Sequence, residues 1–436
     1  MSDLHTEKEK VRICSVASLL QQANKQIRIL KTISWNPQVK EDFFAHQCQK
    51  LPDVNYIPFN PAPVIDILRE ARKNIFPQSS KVDFWLERQG DAIEKAARML
   101  ANVGKSDFFS FSRLAYGEPT APLRYDDKTL LQLAQSIRDN VDRLNELQFK
   151  IHSPTIYSAE EIALKIDLAL KPHFGEDAPE IVILDNLSAN ALATSKQIRL
   201  RRDAKFTDRD CIQLINHEGF IHVLTSINGK KQDKLPILGE GHIGTTCTQE
   251  GLAVFAEVIS GSMELNRFQR LADRVFAIQM AIDGADFIDV YKYFFDRTEG
   301  KKDQSFESAR RVFRGGVITG STPFTKDVVY LFGLLMVSSA INAMFSAGRA
   351  DCLRLMFCGK LDIMDLPALA ELTDLGLCKL PKYLPPWIID PRSLLALLTY
   401  STFMRKIDLD TSTKVASRLL GDTPIINCPL NLEAPT

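Results

Sequence analysis

The chain has 436 residues, 45% hydrophobic and 25% charged, enough to bury a full core without disulfide or metal staples. Lys plus Arg and Asp plus Glu balance at 54 each and the pI is near 7, so composition points neither to a nucleic-acid groove nor to a polybasic membrane anchor. The eight cysteines are scattered without a CxxC pair, which fits buried thiols in a reducing cytoplasm rather than a disulfide scaffold.

The polar start, Met1 to Arg12, is followed by no apolar core of a signal peptide, so none is expected. Residues 1–150 are predicted to be a helical N-terminal region. Apolar residues recur at helical spacing over Phe84–Val103 and Leu130–Phe149, and the proline-rich run from Pro58 to Pro63 separates helices as a loop. No catalytic pattern occurs in this half, which leaves it packing or the shaping of a substrate groove. Ser158-Ala-Glu-Glu161 is a capping box that opens a helix to about Leu170. Glu180–Asp185 is apolar and β-branched and predicts a strand; Ala191–Arg201 predicts a second one at a sheet edge.

Thr207, followed by Asp208 and Asp210, predicts a helix N-terminus, with the helix running through His217 to about Ser226 and ending at Asn228-Gly229. A further helix is expected from Thr248 to about Ile259, and helices again from Arg267 onward. Val328–Phe345 is apolar enough to sit at the lower limit for a membrane span, but Ser338, Ser339 and Asn342 favour a core helix. The last fifteen residues, with three prolines, read as an extended tail. The expected architecture is α+β and predominantly α, with a domain over 151–410 and a C-terminal extension over 411–436.

The chemistry concentrates in His217-Glu218-Gly-Phe-Ile-His222. Zinc peptidases commonly carry two histidines four apart on one helix face. Here they are five apart. In a regular α-helix five residues turn about 500°, leaving the two side chains roughly 140° from one another. A π-bulge brings them back to one face, and Gly219 inside the interval lowers the steric barrier to it; alternatively the second histidine sits on a loosened final turn. Catalytic zinc usually takes three protein ligands and keeps one position open. Thr248-Gln-Glu250-Gly-Leu-Ala-Val-Phe-Ala-Glu257 offers two acids seven apart on one helix face: either can be the third ligand, the other orienting a histidine. His242, in a glycine-rich loop between the two motif helices, is a candidate substrate contact.

HExxxH followed some thirty residues later by Gln249-Glu250-Gly-Leu-Ala253 resembles the tyrosine/phenylalanine carboxypeptidase-domain family, which includes microtubule-associated tyrosine carboxypeptidases and bacterial QEGLA-motif proteins. The likeness continues through Phe313-Arg-Gly-Gly316 and Phe324–Leu331 and covers roughly residues 155 to 405. It implies a zincin-like metallopeptidase fold, zinc held by His217, His222 and Glu250, Glu218 as the base that activates water, and Glu257 behind the ligands. It also implies removal of a C-terminal Tyr or Phe from a peptide or protein.

A second donor for the oxyanion is expected from Tyr330 or His242. A carboxypeptidase must also hold a terminal carboxylate, and Arg311, Arg314 and Lys326 are the candidates. Two other readings use the same residues. One is an endopeptidase or amide hydrolase; the other is a metal-binding regulatory protein without turnover, against which the retained Glu218 argues.

Overall fold

The computed structural model describes residues 2–404, except 58, 124–125, 147–154, 186, 188–189 and 195, together with 406, 413–414 and 417. The predicted extension over 411–436 therefore lies almost wholly outside the described residues. Helices dominate, and the β-structure among the described residues is three small sheets. The architecture is α+β with little β, as the sequence predicts.

In the first half, helices Ser2–Lys25, Ala62–Arg72, Lys81–Ala101, Asp107–Tyr116 and Leu130–Glu146 pack through apolar faces. Pro58 of the proline-rich run lies outside the described residues, and the run is a loop over 59–61 only. Pro63 sits in the first turn of helix Ala62–Arg72, where a missing N–H is no loss. Packing runs across residue 150. Helix Lys81–Ala101 lies against helix Ile243–Ile259, helix Leu130–Glu146 lies against Leu265–Ile282, and one hydrophobic core spans both halves.

Helix Ala159–Phe174 opens on the predicted capping box. The Glu161 amide donates to Ser158 Oγ at 3.3 Å and the Ser158 amide to Glu161 Oε2 at 2.7 Å. The strand region departs from expectation. Ala191–Arg201 is two strands, Ala191–Ala193 and Gln197–Arg201, and the latter is the central strand of a three-stranded sheet. It pairs in parallel with Glu180–Leu184 and antiparallel with Ala191–Ala193. Ile198 and Leu200 alternate into the core, while Arg199 and Arg201 point away. Alternation along a strand shows only that one of its faces is polar, which a central strand shares with an edge strand, so it does not decide the position in the sheet.

The predicted helix after Thr207 spans 208–230 in three segments: α over Asp208–Leu214, π over Ile215–Val223 and α over Leu224–Lys230. Thr207 caps it, accepting from the Asp210 amide at 3.0 Å. It does not end at Asn228-Gly229. Gly229 lies inside the last segment, and a Cβ there would collide with the Leu238 carbonyl. That glycine serves a close backbone crossing rather than a helix stop.

The next helix, Ile243–Ile259, begins five residues before the predicted Thr248. Glu250 is therefore well inside it rather than at its positive end. Val329–Ser346 is the predicted apolar helix, and the stretch Thr325–Ser346 is long and apolar enough to cross a membrane. One face of it makes the most extensive helix pairing among the described residues, against Ile243–Ile259. Gly251 and Gly333 allow that crossing: a Cβ on either would collide with the backbone of the other helix.

Candidate metal centre

The π-helical segment is where the sequence placed its distortion, and it does what the five-residue spacing requires. The His217 and His222 rings lie with centroids 5.0 Å apart on one face. Gly219 contributes differently from the prediction. A Cβ at that position would lie 2.6 Å from Leu170 of helix Ala159–Phe174, so the glycine admits a neighbouring helix.

Glu250 arrives from helix Ile243–Ile259. Its Oε2 is 3.6 Å from His222 Nε2 and 3.9 Å from His217 Nε2. One donor atom from each of the three residues lies within 4.8 Å of the others. Two imidazole nitrogens and a carboxylate suit a divalent ion, and metal bonds of 2.0–2.1 Å in a tetrahedron would set the donors roughly 3.3 Å apart, slightly closer than they stand. Burial alone would raise the pKa of Glu250. The Lys326 ammonium, the hydrogen bond with His222 and the charges of both histidines outweigh it and hold the carboxyl well below its usual range.

Behind the donors, Glu257 is fully buried. Its Oε1 accepts from His217 Nδ1 at 2.7 Å, which fixes the ring and leaves Nε2 facing Glu250. Arg267 donates two bonds of 2.9 Å to the same carboxylate. The choice between the two acids is thus made by geometry: Glu250 stands with the two Nε2 atoms and Glu257 stands behind His217. Burial works to lower the His217 pKa, and the Glu257 bond with the charges of Glu218, Glu257 and Glu250 reverses that and raises it.

The QEGLA residues each have a separate job. Gln249 Oε1 bonds the Thr225 hydroxyl at 2.8 Å, tying the two motif helices together. Glu250 faces the histidines, Gly251 admits helix Val329–Ser346, and Leu252 and Ala253 are core.

Glu218 Oε1 is 4.0 Å from His217 Nε2, beside the cluster. Lys326 Nζ reaches Glu250 Oε1 at 3.3 Å. Its turn, Thr325–Val328, is fixed from the N-terminal half, where Ser112 Oγ accepts from the Thr325 amide at 2.8 Å. Arg311 is engaged by Asp327 at 2.6 and 2.7 Å and donates to the Tyr330 hydroxyl at 3.3 Å. Arg314 lies near both, its guanidinium 5.7 Å from the Phe324 ring centroid.

His242 takes a structural place. It is the N-cap of helix Ile243–Ile259, its Nδ1 accepting from the Gly244 amide at 3.2 Å. Burial, with the nearby Arg88 charge, lowers its pKa to about 4, so the ring is neutral and its acceptor is used in the cap. That cap anchors the loop between the motif helices to the start of the second one.

Three residues of the site carry no sequence signal: Arg267, Arg274 and Lys360. Lys360 follows Gly359, at which a Cβ would lie 3.1 Å from the Gly229 Cα, and its amide donates to Leu238 O at 2.7 Å. Burial lowers its pKa against the pull of the Glu250, Glu218 and Glu240 carboxylates.

A family model described as "Microtubule-associated tyrosine carboxypeptidase" matches residues 41–406. The chain belongs to that family. The match starts more than a hundred residues before the stretch in which the motifs are legible, and so includes the helices that set the Lys326 turn. None of the curated proteins matches this sequence. Among solved structures, one described as "The crystal structure of the putative lipoprotein from Colwellia psychrerythraea" is similar at 14% identity over 78% of this chain and 67% of that chain, with a TM-score of 0.36.

Proposed function

We propose that this family member is a zinc metallocarboxypeptidase of zincin-like fold that removes a C-terminal aromatic residue, Tyr or Phe, from a peptide or protein. The observation that carries the reading is the convergence of His217, His222 and Glu250 with Glu218 beside them, in a chain of this family. Zinc held by the two Nε2 atoms and the Glu250 carboxylate would supply a Lewis acid and a water of lowered pKa. Glu218 accepts the proton of the attacking water as the new C–O bond forms and the carbonyl oxygen becomes an oxyanion; the scissile C–N bond then breaks as the carbonyl re-forms, and Glu218 returns the proton to the leaving amine. Glu257, clamped by Arg267, holds His217 in one tautomer and orientation. We assign assistance of the developing oxyanion to Tyr330 and Lys360. The reading extends to a reducing, cytoplasmic setting, in keeping with the seven described cysteines, all free thiols.

The test is mass spectrometry of zinc-loaded protein incubated with peptides ending in Tyr, Phe or Ala, each as free acid and as amide. Loss of one residue from the aromatic acids alone is the expected result. Internal cleavage, or equal cleavage of the amides, would replace the carboxypeptidase with an endopeptidase. No cleavage by a zinc-bound protein would favour a binding role.

A further inference from the structure

Two buried amide side chains, Asn228 in the last turn of the first motif helix and Gln232 just after it, hold two distant segments side by side. Asn228 Nδ2 donates to Phe357 O and Tyr383 O, both at 2.8 Å, and its Oδ1 accepts from the Tyr383 amide at 3.1 Å. Gln232 Nε2 donates to Cys358 O at 3.1 Å and to Lys379 O at 2.7 Å, and its Oε1 accepts from the Lys379 amide at 2.8 Å.

This stitching brings two cysteines together. Cys358 follows helix Ala350–Leu355 and is fully buried; Cys378 follows helix Leu366–Asp374. Cys378 Sγ is 3.8 Å from Lys379 O, the carbonyl that shares the Gln232 amide with Cys358 O. The two thiols hydrogen-bond one another, and the bond makes the sulfurs unequal. Cys378, bonded also by Thr373, is held below the ordinary thiol pKa against its burial, while Cys358 is pushed up by the same bond and by burial. The sulfur of lower pKa is the better placed to react as thiolate. Cys378 is also nearer to solvent. Lys379 and Leu380 beside it are exposed, whereas Cys358 leads inward to the Gly359 crossing and to Lys360, in the field of Glu250 and Glu218.

We propose that Cys358 and Cys378 form a peroxide-sensitive redox site, in which Cys378 is oxidised first and Cys358 closes the disulfide. The site lies outside the metal centre and does not rest on the peptidase reading. The Cys378 thiolate attacks one oxygen of hydrogen peroxide; the O–O bond breaks, and the hydroxide that leaves takes up the proton the thiol released. Cys378 is then a sulfenic acid. The Cys358 sulfur attacks the Cys378 sulfur, the S–O bond breaks, and the hydroxyl leaves with the Cys358 proton as a second water. Two thiols have lost two electrons and two protons, and peroxide has been reduced to water. A dithiol reductant reverses the step by exchange and is itself oxidised to a disulfide, so in a reducing compartment the bond is transient.

The test uses the reduced full chain, exposed while folded to a modest molar excess of hydrogen peroxide, then alkylated in denaturant and mapped by mass spectrometry. The expected result is the loss of both thiols into one peptide pair joined through Cys358 and Cys378, which a dithiol reductant separates. Cys378→Ser should leave Cys358 fully alkylatable under the same exposure. Cys358→Ser should leave a sulfenic acid on Cys378 that a cyclic 1,3-diketone traps. Peroxide-treated wild-type protein in which both cysteines are still alkylated as free thiols would overturn the proposal. So would a cross-link that forms only when peroxide meets the unfolded chain, because the fold would then have no part in pairing the two sulfurs.

Discussion

Two sets of charges flank the candidate metal centre, and they are built on opposite principles. Behind His217, Glu257 and Arg267 are buried and matched: two carboxylate oxygens meet two guanidinium nitrogens, and one of those oxygens also takes the His217 N–H. Around Tyr330, the cations Arg274, Arg311, Arg314 and Lys326, the last in contact with Glu250, outnumber the carboxylates among them, and two of their nitrogens have no partner among the described residues. The saturated network is suited to holding a ligand still; the unsaturated one is suited to receiving something. Buried charge therefore does not mark function by its amount. What separates the two is whether the donors are filled.

The largest effect should come from the donors that both networks serve. His217→Ala or His222→Ala is expected to abolish stoichiometric metal binding, read by metal analysis of protein dialysed against limiting zinc. A double variant that retained one zinc per chain would put the site elsewhere. Next is Glu218→Gln, which should lower kcat on an aromatic-ending peptide by about 10²–10⁴-fold with KM and zinc content near wild type. An unchanged kcat would take the proton transfer away from this residue.

The comparison itself is sharpened by two methionine substitutions of opposite expected sign. Arg267→Met leaves the Glu257 carboxylate buried with one fewer partner, and unfolding stability should fall by about 3–5 kcal/mol. Arg274→Met removes a cation that is already short of partners, so the same denaturant titration should show no loss or a gain of up to roughly 1–4 kcal/mol. Equal destabilisation by both would mean that the second wall is as well compensated as the first. The gentlest probe is Glu257→Gln, which keeps the hydrogen bond to His217 and loses the charge. Zinc affinity should weaken about 10–100-fold in a competition titration with a chelator, because the anion behind His217 raises its basicity toward the metal.

Part of the site was legible because local geometry left few options. A five-residue histidine spacing cannot converge on a regular helix, so the sequence implied a π segment, and the structure has one over Ile215–Val223. Capping boxes at Ser158 and Thr207 were likewise readable, being formed within four residues. Failures came where a residue type has two uses. Gly229 was read as a helix stop and serves a backbone crossing; His242, a candidate substrate contact, has a further use as a buried cap that the sequence did not signal. The strand Gln197–Arg201 was placed at an edge because its alternation says one face is polar, which holds for a central strand too.

By itself the sequence determined the helical character, the distorted motif helix and the identity of its histidines, since each depends on neighbours a few residues apart and on backbone geometry that side chains cannot override. The tertiary structure decided which carboxylate faces the histidines, which cations remain unfilled, and how the two halves of the chain cooperate. Arg274 and Lys360 acquire meaning only when helix Leu265–Ile282 brings the first beside Tyr330 and Asp327 and the Gly359 crossing brings the second into the field of Glu250 and Glu218. Burial and charge excess belong to such assembled neighbourhoods, and a linear pattern does not encode the long-range packing that creates them.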